Sequence, residues 1–109
     1  MKKSLAFLEK NQTLLGAWRI HETLVNRFGI ATLEEVYSFD DYGFMEWRYS
    51  ETGAPNEYQK FNYTVQENQI TIIPTNSYIP TLVDFIFLND TLSLRMEDWS
   101  DYITLTRVC

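Results

Sequence analysis

The feature that most limits what this chain can become is its rhythm from Gly16 onward: short runs of about 4 to 10 residues, alternating apolar with polar, each closed by a turn signal. In residues 44–50, Met45, Trp47 and Tyr49 alternate with Glu46 and Arg48. In residues 58–66, Phe61, Tyr63 and Val65 share one side. Successive side chains of a strand point to opposite faces, so such a pattern writes one apolar and one polar surface onto each run. The breaks carry matching chemistry. Asp40-Asp41-Tyr42-Gly43, Glu67-Asn68-Gln69 and Asn89-Asp90 are turn formers, and Pro74 ends a run because it has no N–H to give a ladder.

Taken in order, the runs are 17–25, 32–39, 44–50, 58–66, 70–73, 82–88, 91–96 and 101–108, which makes eight strands joined by short links. An antiparallel meander of that length most simply curls into an up-and-down barrel or half-barrel, because closure removes the edges that an open sheet exposes. The chain has 109 residues, 45% of them hydrophobic, enough for one core and too few for a second. The expectation is a single all-β domain over 1–109. Ahead of it, residues 4–14 predict a short helix capped by Ser4, with Leu5, Phe7 and Leu8 on its apolar side, too short to be stable unless docked on the sheet. Residues 82–88 are apolar on both faces except at Asp84, so their second side calls for a cover, from that helix or from another chain.

Trp18 stands just inside the first strand, on the same face as Ile20, which puts it at the base of whatever the hairpins enclose. The Gly16-Ala17-Trp18 step, the eight-strand meander and a late Arg107 together resemble the lipocalin-like calycin superfamily. That resemblance implies that Arg107 caps Trp18 at the closed end of the barrel. The alternation agrees: Arg107 shares its face with Ile103 and Leu105, so it is expected to point inward and stack on the indole where water is excluded.

Net charge and site chemistry narrow the function. A formal charge of −6 argues against nucleic acid or an anionic membrane, both of which reward clustered Lys and Arg, and favours a basic protein as partner. Cys109 is the single cysteine, which leaves no intramolecular disulfide and no multi-thiolate metal site. The apolar start is cut short by Glu9 and Lys10, well before a signal-peptide core is complete, so the expected location is cytoplasmic. No nucleophile elbow, phosphate loop or metal-ligand spacing occurs, and His21 falls on the outer face, so neither catalysis nor a cofactor is expected.

Two binding modes remain. In an up-and-down barrel alternate links share an end, so links 26–31, 50–57, 74–81 and 97–101 gather opposite Trp18. They carry Glu51, Glu57, Glu97, Asp98 and Asp101 with Trp99 and Tyr78 among them, an arrangement in which rings anchor and carboxylates steer a basic partner. Small size, acidity and this loop end resemble, in general features, bacterial immunity proteins that neutralise nuclease toxins. The second mode is a carrier holding a small apolar ligand among Trp47, Tyr49, Phe61 and Tyr63. An eight-stranded barrel is just wide enough to be filled by its own side chains or to hold one small molecule. Short strands and bulky aromatics favour the filled interior.

Overall fold

A computed structural model of the chain describes residues 14–88 and 90–108. Eight strands follow one another: β1 (Gly16–Asn26), β2 (Gly29–Phe39), β3 (Phe44–Glu51), β4 (Glu57–Gln66), β5 (Gln69–Pro74), β6 (Thr81–Leu88), β7 (Thr91–Met96) and β8 (Ile103–Arg107). Each pairs antiparallel with the next, and β8 returns to β1, so the sheet is a closed up-and-down barrel. The helix expected over residues 4–14 lies outside the described residues except for Leu14, which is buried.

The period-2 pattern fixes which side chains enter. Trp18, Tyr37, Phe39, Met45, Ile70, Ile72, Val83, Phe85, Leu92, Leu94 and Leu105 are all buried together inside the barrel. Little room is left beside Phe39, Met45, Ile70, Ile72, Val83 and Leu94: the void there is about 10 Å³, at the threshold for one water molecule. This half of the barrel is filled by its own residues.

Trp18 closes that end. It is 1% exposed, and its indole N–H donates to the Leu14 carbonyl at 2.9 Å. The ring lies 5.9 Å from that of Phe87, and the Arg107 guanidinium sits 4.1 Å from the indole centroid while Nη1 donates to the Leu15 carbonyl. The stacking matches the sequence expectation, but the setting differs: Arg107 is exposed, so the guanidinium is an outer lid and not an interior group. Trp18 and Arg107 are direct cross-strand partners at the lip, where the indole fills the barrel and the longer arginine leans over it into water. A cation–π contact in that setting contributes about 0.5–1 kcal/mol. Gly16 makes the approach possible: its φ is +112°, and a Cβ there would stand 3.1 Å from Arg107 Nη1.

The barrel wall is uneven in height. β1 and β2 pair along their whole length, from Gly16↔Phe39 to Asn26↔Gly29. On their other sides the ladders are shorter, since β1 meets β8 only at Trp18↔Arg107 and Arg19↔Thr106, and β2 leaves β3 at Leu33↔Glu51. The β1–β2 hairpin therefore rises past the rim, with Val25, Phe28 and Ile30 exposed near its tip. On β6, Val83 and Phe85 face the core while Leu82, Ile86 and Leu88 face outward and are exposed, so among the described residues the second side of this strand is uncovered. No helix among the described residues is long and apolar enough to cross a membrane.

Candidate functional site: a cleft at the open end

The meander sends links 27–28, 52–56, 75–80 and 97–102 to the end away from Trp18. There the packing stops. A cleft of about 360 Å³ opens above the core, lined by Glu35, Tyr37, Met45, Trp47, Gln59, Phe61, Met96 and Trp99. The change of character follows from β2 itself. Its inward positions run from Phe39 through Tyr37, both buried, to Glu35, so the same alternation that packs the lower core brings a carboxylate inward one step higher.

Glu35 is held in place by neutral donors. Its Oε1 accepts from the Tyr37 hydroxyl and from the Trp47 indole N–H, each at 2.8 Å. The register explains the second bond, because Tyr37 pairs with Trp47 and Glu35 with Tyr49 on the neighbouring strand. Burial, then the charge and hydrogen bond of Glu35, push the Tyr37 phenol far above its ordinary range, so it stays protonated and remains a donor. The ion pairs among the described residues join Arg19 to Glu34, Arg48 to Glu46, and Arg95 to Asp84. Glu35 takes part in none of them.

Further carboxylates stand beside it. The Tyr49 hydroxyl donates to Glu51 Oε2 at 3.1 Å, and Glu57 is the cross-strand partner of Tyr49 on β4. The Tyr49 phenol is raised first by desolvation, then by the bond to Glu51 and by the charges of Glu51, Glu35 and Glu57. Three carboxylates thus act on one hydroxyl. Across the opening, Glu97, Asp98 and Asp101 are exposed on the 97–102 link, and Trp99 turns back to line the cleft, with its backbone N–H donating to the Met96 carbonyl at 2.9 Å. Links 52–56, 75–80 and 97–102 contain no Lys or Arg, and link 27–28 carries Arg27.

Of the residues expected to meet a partner, the structure brings Trp99 onto the cleft wall, Glu51 and Glu57 beside Tyr49, and Glu97, Asp98 and Asp101 onto the link that carries Trp99. Tyr78 does not join them on the cleft wall; it is 99% exposed on link 75–80. The four residues considered for an apolar ligand are split. Trp47 and Phe61 line the cleft, and Tyr49 stacks on Trp47 at 6.0 Å. Tyr63 belongs to the packed half, edge-on to Phe39 at 5.2 Å, with its hydroxyl donating to the Asp40 carbonyl. Glu35, Tyr37, Gln59 and Met96 were not singled out from the sequence. Counting back in twos from Phe39 places Tyr37 and Glu35 inward, and a glutamate on an otherwise aromatic inner face was the available signal.

His21 faces outward, 3.5 Å from Glu34, as the alternation implied. Among the described residues no three His, Cys, Asp or Glu side chains are grouped as metal ligands would be. Compared with known proteins, the chain matches no family model, no curated protein and no solved structure.

Proposed function

We propose that this is a non-enzymatic binding protein of lipocalin-like build, and that its open end engages and occludes a basic protein in the manner of an immunity protein acting on a nuclease toxin. The observation that carries the reading is the contrast in charge at that end. The cleft's one carboxylate, Glu35, has only neutral donors, Trp99 on its wall belongs to the link that carries the exposed Glu97, Asp98 and Asp101, and Glu51 and Glu57 stand beside Tyr49 at the same end. Left alone, these charges repel one another; a cationic surface relieves that repulsion, and the aromatic ring supplies buried area at the centre of the contact.

The cleft gives the carrier reading a foothold as well, since about 360 Å³ falls within the range of small-molecule sites. Its chemistry argues against a purely apolar guest, which would have to cover the Glu35 carboxylate without satisfying it. The test is association with a basic partner at low and high salt, repeated with Trp99→Ala, Asp98→Lys and Asp101→Lys combined. The reading expects salt-sensitive binding that the triple variant loses. Unchanged binding by that variant excludes this end as the interface.

A further inference from the structure

The cleft has a more specific chemistry than a general attraction to positive charge, and the following step rests on the partner reading above. Glu35 Oε1 already accepts two hydrogen bonds, at 2.8 Å each, which fixes the carboxylate and leaves Oε2 as the oxygen a guest can claim. Gln59, on the same wall, donates its amide N–H to the Lys60 carbonyl at 2.9 Å, which leaves its own amide oxygen as an acceptor. The cleft thus offers acceptors to a guest, one of them charged, between two indoles, Trp47 and Trp99, and a phenyl ring, Phe61.

That combination selects among cations. A quaternary ammonium would use the rings but has no N–H for Glu35 or Gln59. An ammonium carries N–H groups but is compact and strongly hydrated, and entering an aromatic cleft strips that water. A guanidinium is flat, weakly hydrated, stacks on indole, and carries five N–H donors in one plane, able to serve both acceptors at once. A carboxylate fixed by neutral donors retains its full charge for the guest, where a bond to a resident Lys or Arg would have spent it.

We infer that the cleft is a guanidinium site, which receives an arginine side chain presented by the basic partner, with Glu35 as its counter-charge and Trp47 and Trp99 as its walls. A protein-borne arginine fits better than a free small cation because Trp99, on the cleft wall, belongs to the link that carries the exposed carboxylates Glu97, Asp98 and Asp101, which the surface around that arginine would meet.

The three indole N–H signals in a nitrogen-edited NMR spectrum provide the readout. Titration of the intact protein with N-acetyl-arginine methylamide should shift the Trp47 signal saturably, while that of Trp18, bonded to the Leu14 carbonyl at the far end, stays in place. N-acetyl-citrulline methylamide, the uncharged isostere, should bind at least about tenfold more weakly, since it lacks the charge-assisted bond. Tetramethylammonium and the blocked lysine should fall between. Glu35→Gln should abolish the difference between arginine and citrulline, and an unmoved Trp18 signal shows that the variant is folded; Trp99→Ala, on a surface link, should weaken the arginine probe while leaving the Trp18 signal in place. Equal response to arginine and citrulline, or an arginine response that survives Glu35→Gln, overturns the assignment. Tighter binding of ethylguanidinium than of a blocked Gly-Gly-Arg-Gly-Gly peptide overturns the protein-borne source. If the assignment fails while a basic partner is still lost on Asp98→Lys and Asp101→Lys, the broader reading stands without this site.

Discussion

Trp18 and Trp99 are the same residue at opposite ends of one barrel. Trp18 is 1% exposed, its N–H is satisfied by the Leu14 carbonyl, and it packs on Phe87 beneath the Arg107 lid. Trp99 is partly buried on a link between strands and forms one wall of a cleft that also contains a carboxylate. Trp18 is one of the fully buried side chains of the packed core, whose void beside Phe39, Ile70 and Val83 is about 10 Å³; beside Trp99 a volume of about 360 Å³ stays open. The difference is one of packing: the closed end is filled and capped, and the open end leaves a carboxylate and two indoles beside free space.

Substituting the two tryptophans gives the sharpest separation. Trp18→Ala should cost about 3–5 kcal/mol, which for a domain of this size removes much of the stability. Trp99→Ala should cost about 1 kcal/mol and act mainly on binding. Denaturant unfolding of both measures the gap, and equal losses would dissolve the distinction. Next in size is Leu105→Ala, at 0% exposure, where about 2–5 kcal/mol should be lost because the packed neighbours leave a cavity behind. Gly16→Ala tests the lid more finely. Its φ of +112° and the 3.1 Å approach to Arg107 Nη1 predict a loss of about 1–3 kcal/mol from backbone strain, visible as a lower melting temperature.

Two pH effects are smaller and of opposite sign. The Tyr37 phenol is raised by burial and by Glu35, so the folded chain keeps a proton that the unfolded chain releases. Its contribution is complete below about pH 10 and is lost as pH rises beyond it, and Tyr37→Phe should flatten that alkaline decline. Asp84, on the outer face of β6, is lowered by its hydrogen bond from Arg95, at 2.8 Å, and by that from Gln69. Its contribution is present above about pH 4 and is lost as pH falls below. Wild type and Asp84→Asn should therefore converge in stability under acid, with little separation even at neutral pH because the pair is partly exposed.

The closed end was the more legible of the two in the sequence, for a physical reason. Burial on one face imposes strict alternation, so Trp18, Phe39, Leu92, Leu94 and Leu105 announce their side, and the turn residues between runs announce the meander. The open end obeys the same alternation with polar residues, and there the signal fades. Glu35 sits two positions from a buried tyrosine and reads as a solvated strand glutamate unless the register is carried through Tyr37. The height of the β1–β2 hairpin was also hidden, since the length of a run does not reveal where the neighbouring ladders β1–β8 and β2–β3 end. The start of β8 at Ile103, two residues later than the alternation suggested, leaves Asp101 on the link that carries Trp99.

The division between the two ends is tested most directly at Glu35, by denaturant unfolding of the wild type and Glu35→Gln side by side at neutral pH. A glutamine oxygen can still accept from Tyr37 and Trp47, so both hydrogen bonds survive the loss of the charge. The two proteins should therefore differ by no more than about 1 kcal/mol. A loss of several kcal/mol would make the carboxylate a structural member of the core, and would contradict its assignment to binding.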